Sequence, residues 1–240
     1  MFDWFKRKPA ALATTPPAPP EVASASTLLA GYPVYDAPHV GYGKHLTEAQ
    51  ARANLDYFLR VKPERLASFC AWLLEHGGPD AAPALNAPRE ALLPKALTLT
   101  DELQVWAKRV WPGLLDQRLA PRQVWERSHR RDGEIVFSLV FDVAILLGEL
   151  ICRGNPDWRW DVDLDEENLN DDMTSARRVV LLADPVGEMP YPFVIDIEEI
   201  VVGIYQHPND TEWKLLNPWR RVVDEGIRGA DMAFWRTTSV

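Results

Sequence analysis

Two carboxylates, Asp142 and Glu149, sit inside the most apolar stretch of this 240-residue chain, Ile135 to Cys152. Seven residues make nearly two helical turns, so both side chains project from almost the same side, in line with Glu134 and Ser138. In a pocket, such a pair can divide the work of general acid and general base, one of the two with a raised pKa. An enzyme built this way would use Asp142 and Glu149 as catalytic residues beneath the Tyr-rich segment Gly31 to His45, which carries Tyr32, Tyr35 and Tyr42. Acids on a core helix more often pair with arginines of a neighbouring helix or line its solvent edge. That is the expectation here, with no catalytic residue assigned.

A second cluster of carboxylates follows at once. In Trp158-Arg-Trp-Asp-Val-Asp-Leu-Asp165, apolar residues alternate with charged ones. This is the signature of a half-buried strand with its aromatics inward. Asp161, Asp163 and Asp165 fall on the outward face, and Glu166, Glu167, Asp171 and Asp172 extend the acidic run. The spacing from Asp161 to Asp172 resembles part of a calcium loop. Such a loop needs Gly at its sixth position and normally Glu at its twelfth, where this chain has Glu166 and Asp172. No metal site is therefore expected. These seven acids instead form a candidate surface for a basic protein partner, since complementary charge speeds encounter and sets register. An acidic edge that discourages strand pairing is the simpler use of the same residues.

The remaining chemistry-bearing residues form no motif. His39, His45, His76, His129 and His207 are scattered and match no metal spacing. The chain has no GxSxG, Walker or GxGxxG sequence, and Gly41-Tyr-Gly43 is too short to cradle a phosphate, so no cofactor is expected. Cys70 and Cys152 lie in apolar helical patterns, which suits small buried hydrophobes better than a Cys–His hydrolase. Among the ten tryptophans, Trp106, Trp111, Trp125, Trp158 and Trp160 flank the apolar run as expected core. Trp213, Trp219 and Trp235 are candidate exposed anchors near the C-terminus.

The net charge of -9 excludes a general nucleic-acid binder, which needs a positive footprint. Two cysteines without a CxxC pair point to a reducing cytoplasm rather than a disulfide framework. Met-Phe-Asp-Trp-Phe-Lys-Arg-Lys places aromatics before charge, the reverse of a secretory signal. The same residues, 1–8, suit at most a weak contact with an anionic membrane. The run 135–152 is about the minimum length of a membrane span. Each of its acids would cost about 2.5–3.5 kcal/mol at the bilayer centre, so a buried core helix is expected and no transmembrane segment.

The elements that must position these groups follow from caps and periodicity. Residues 1–30 read as a flexible tail, Pro/Ala-rich from 9 onward, and 31–240 as one globular domain. Thr47 and Gln50 form a capping box for a first helix. Pro63 is expected to open a second helix that ends at Gly77-Gly78. Residues 79–98, with four prolines, read as loop. A third helix is expected from Thr100 to Trp111, stopped by Pro112. After helix 135–152 come strands near 158–165 and 178–183, then a helix after Pro192, although the β-branched content of 193–205 also fits a strand. Asn217 caps a last helix with Pro218 at its first position. The expected fold is α+β: a helical N-terminal half and a small sheet packed on the helix at 135–152.

Val143-Ala-Ile-Leu-Leu-Gly-Glu-Leu-Ile-Cys152, followed by Asn155-Pro156 and Trp158-Arg-Trp160, resembles a pattern in uncharacterised bacterial proteins of the toxin-immunity type. There an apolar helix runs into a Trp-containing strand. The resemblance spans about 121–205. It implies a cytoplasmic, non-enzymatic protein that neutralises a toxin, and it transfers no binding residue. The sequence is thus read as a protein-binding module meeting a basic partner through its acidic face.

Overall fold

Helix α5 (Val136–Gly154) is apolar on every side, and a helix of that kind is stable in water only when other elements surround it. The computed structural model describes residues 28–184, 192–207 and 217–229. In it α5 is surrounded by α1 (Glu48–Glu75), α3 (Arg89–Leu114), α7 (Ile197–Gln206), α8 (Pro218–Arg228) and the first strand, β1 (Trp158–Val162). The helix meets the length and composition of a membrane span, but 83% of its most apolar window is buried by these neighbours. Asp142 and Glu149 therefore face protein.

The remaining elements are short. Single-turn helix α2 (Ala82–Leu85) precedes α3, α4 (Arg122–Glu126) precedes α5, and α6 (Glu166–Asn170) lies between β1 and β2 (Val179–Ala183). Strand β3 (Phe193–Ile195) follows. The sheet is antiparallel in the order β1-β2-β3, with Trp160 opposite Leu181 and Leu181 opposite Ile195. Trp158, Trp160 and Val162 are buried and Arg159 is exposed, so the alternation in β1 forms the half-buried strand. The fold is α+β, helical in its N-terminal half, with the small sheet packed on the central helix.

Local signals set several boundaries as expected. The Thr47/Gln50 capping box is formed, Asn217 accepts from the Arg220 N–H, and Gly77, left-handed, follows the end of α1. Four expectations need correction. Pro63 does not open a second helix; it lies inside α1, on the exposed face. The apolar stripe Phe58, Leu66, Phe69 and Leu73 runs through it and stays against the core. Burying those side chains outweighs the ~3 kcal/mol of an interior proline. Likewise α3 begins at Arg89 rather than Thr100 and carries Pro94 and Pro112 within it, so 79–98 is only partly loop. Residues 193–205 divide into strand β3 and helix α7, with Asp196 capping the helix between them. Finally, Leu29 belongs to the hydrophobic core, so packed chain starts before residue 31.

All five flanking tryptophans are buried. Trp219 is fully buried between Trp111 and α5 rather than an exposed anchor, while Trp213 and Trp235, like residues 1–8, lie outside the described residues.

Candidate functional site

The α5 carboxylates are held by α1. Arg65 Nε and Nη2 donate to Asp142 Oδ1 and Oδ2 at 2.8 and 2.7 Å, a two-pronged ion pair with Asp142 only 1% exposed. One helical turn earlier, Lys62 Nζ lies 2.5 Å from Glu149 Oε1, which also accepts from Trp160 Nε1 at 2.8 Å. The order 65–62 against 142–149 is that of two antiparallel helices. Shared direction on α5 thus becomes a shared face with α1 rather than a shared pocket. Burial is the largest influence on Asp142 and pushes it up to about 6, against the pull of Arg65 and the Tyr32 hydroxyl. Asp142 is sealed in its ion pair, while Glu149 is engaged by Lys62 and Trp160 with its side chain 14% exposed.

Over this pair the Tyr-rich segment is a strap held by hydrogen bonds. Tyr32 donates its hydroxyl to Asp142 Oδ2 at 2.7 Å, and the Tyr35 N–H donates to Ser138 Oγ at 2.9 Å. Arg65 also donates to the carbonyls of Val34 and Pro33. The strap then covers a second charged cluster that no local pattern announced. Glu198, buried at the start of α7, accepts from Trp125 Nε1 at 2.8 Å and pairs with Arg130 at 2.8 Å and Arg178 at 2.6 Å. Arg178 reaches Asp196 as well, at 2.8 Å, and its guanidinium lies over the Trp125 ring. Arg130 lies over Tyr35 and Phe141. Burial opposes the charge on Glu198, but Arg130 and Arg178 outweigh it and hold the carboxyl below its ordinary range. Burial wins at Asp196 and pushes it up to about 6 despite Arg178.

The seven acids of the expected partner face part company. Asp163 is not on it: the carboxylate is 1% exposed and accepts from Ser175 Oγ at 2.6 Å, Asn168 Nδ2 at 2.9 Å and the Asp165 N–H at 3.1 Å. The chain leaves the sheet after Val162, so the alternation that would turn Asp163 outward has ended. Asp163 instead pins the β1–β2 connection, its carbonyl accepting from the Arg177 N–H. Asp165 is partly buried as the N-cap of α6, accepting from the Glu167 and Asn168 N–H groups. Asp161 is half-buried beside Arg159. Glu166, Glu167, Asp171 and Asp172 are exposed, with Met173 next to them 50% exposed.

Among the described residues, no three His, Cys, Asp or Glu side chains are placed to hold a metal ion. Both cysteines are half-buried, and burial pushes their thiols up, to about 11 for Cys70 and about 12 for Cys152. Sequence reasoning missed Arg65, Arg130, Arg178, Asp196 and Glu198. Their only signal was the need of buried acids for cations, which names no particular arginine. Comparisons of the chain with protein-family models, curated proteins and solved structures gave no match.

Proposed function

We propose that this protein is a protein-binding module that meets a basic partner through the β1–β2 connection. The observation that carries this reading is the division of acids there: Asp163 and Asp165 hold the connection in shape, while Glu166, Glu167, Asp171 and Asp172 are left exposed around Met173. A fixed acidic rim beside an exposed methionine offers both steering and an adaptable apolar contact. A non-enzymatic role fits the consumption of the buried carboxylates by arginine and lysine. The narrower role of neutralising a bacterial toxin is supported by the sequence resemblance alone.

The test is capture of partners from a lysate of the source organism, at low and high salt, by the wild type and by a variant with Glu166, Glu167, Asp171 and Asp172 changed to Lys. Asp163 and Asp165 stay unaltered because they build the connection. A basic protein retained by the wild type at low salt and lost in the variant, with unchanged thermal stability, supports the reading. Equal capture by both proteins at every salt concentration refutes it.

A further inference from the structure

Beneath strap residues 35–41 lies a half-open cavity of about 70 Å³, walled by Trp125, Arg130, Arg177, Arg178 and Glu198. It has room for a handful of waters or one small oxyanion. Two of these walls are conformationally costly. Arg130 and Arg177 have φ of 55° and 57°, the left-handed region that a Cβ disfavours and that Gly, Asn or Asp would occupy more easily. They are two of four such non-glycine residues among those described, and a third, Asp132, lies two positions from Arg130. Left-handed backbone at two points of one cavity lining, Arg130 and Arg177, is a pointer to a site.

The charges around the cavity are unevenly answered. Glu198 is engaged by Arg130, Arg178 and Trp125. Glu126 is engaged by Arg122 at 2.6 Å and by the Tyr42 hydroxyl, and Asp36 by Arg131 at 2.5 Å. Arg177 has no carboxylate partner among the described residues; its guanidinium donates to the Leu46 carbonyl, which leaves its charge unneutralised. His39 and His129 also line the cavity, and each ring can supply an N–H.

We propose that this cavity binds a small oxyanion, a carboxylate or phosphoryl group, with Arg177 as its charge-bearing ligand. A guanidinium presents paired donors matched to two oxygens of either group. Arg177 belongs to the same β1–β2 connection as the acidic rim, but the proposal needs only the cavity and not a protein partner, so anion binding tests it apart from the partner-binding reading.

The test is a titration of the folded wild-type protein with sodium phosphate and with sodium malonate, followed by amide chemical shifts against sodium chloride at matched ionic strength. Saturable shifts at residues 35–41, 125–130 and 177–179 are expected, and whichever anion binds more tightly identifies the phosphoryl or the carboxylate class. Arg177→Gly removes the cation and accepts the left-handed backbone, so it is expected to stay folded and bind at least about tenfold more weakly. Shifts no larger than with chloride, saturable shifts centred elsewhere, or unchanged binding by Arg177→Gly would each overturn the proposal. The wild-type titration decides it even if that variant fails to fold.

Discussion

Replacing Gly148 with alanine should destabilise this protein, although the same change at most helix positions is favourable. Ala exceeds Gly by about 1 kcal/mol in intrinsic helix propensity, and Gly148 lies well inside α5. A Cβ at this position would lie 2.1 Å from Cζ2 and 2.5 Å from Cη2 of Trp160. Those atoms belong to a rigid ring, so the indole must move by more than an ångström. That ring packs against Phe58 at a centroid distance of 4.8 Å and donates to Glu149 at 2.8 Å. Overpacking of a core costs about 1–3 kcal/mol. Losing a hydrogen bond to a charged group costs about 1.5–3 kcal/mol more. Against the ~1 kcal/mol gain in propensity, the net loss is about 1.5–5 kcal/mol. Urea unfolding followed by tryptophan fluorescence measures it, and Trp160→Leu, which removes the obstructing ring, provides the control. In the Trp160→Leu background, Gly148→Ala should cost far less or become favourable. If Gly148→Ala raises the unfolding midpoint in the wild-type background, the close approach of β1 to α5 at Gly148 is wrong.

Two further outcomes follow from the buried ion pairs. Arg65→Met strands a carboxylate that is 1% exposed and should cost about 3–5 kcal/mol at pH 8, with most of the loss recovered in the Arg65→Met/Asp142→Leu double variant. Chemical denaturation of the four proteins gives the coupling directly, and a single-variant loss below about 1 kcal/mol would contradict a sealed pair. Asp142 and Asp196, both pushed up to about 6, hold a proton more tightly when folded than when unfolded, where an aspartate titrates near 3.9. Their contribution is complete below about pH 4 and is lost as pH rises through 6. Glu198, held below its ordinary range, has the opposite sign and matters only below about pH 4.5. Stability should therefore increase by about 1.3 kcal/mol per raised aspartate between pH 7 and pH 5. Unfolding free energies at pH 5, 6 and 7 check this, and a monotonic fall on acidification refutes it.

What was legible in the sequence was local. The Thr47 box, the Asn217 cap and the apolar run of α5 are decided by groups within a few residues of one another, and each stands in the structure. Pro218 stands at the first position of its helix by the same kind of local rule, but that rule fails at Pro63 and Pro112; what keeps α1 helical through Pro63 is the contact of Phe58, Leu66, Phe69 and Leu73 with the core. Period two likewise placed Trp158 and Trp160 correctly, then put Asp163 on the wrong side, since the pattern cannot mark where the chain leaves the sheet.

The charged clusters were illegible for a stronger reason. Asp142 finds Arg65 at a sequence separation of 77 and Tyr32 at 110, and Trp125 finds Glu198 at 73. No spacing rule spans such distances. The need for a counter-charge was nevertheless deducible from burial alone, and it constrains the function. An acid deep in the core must be matched there by hydrogen-bond donors, as Asp163 is, or by a cation; Asp142, Asp196 and Glu198 take cations and together consume Arg65, Arg130 and Arg178. Part of the chain's positive charge is thereby withdrawn from the surface along with those acids, while Glu166, Glu167, Asp171 and Asp172 remain exposed on one connection. Net charge counted from composition does not say where a partner would meet it. Which acids the core takes in bears on that: Asp163 is drawn inward, while Glu166, Glu167, Asp171 and Asp172 stay exposed on the connection that we propose meets a partner.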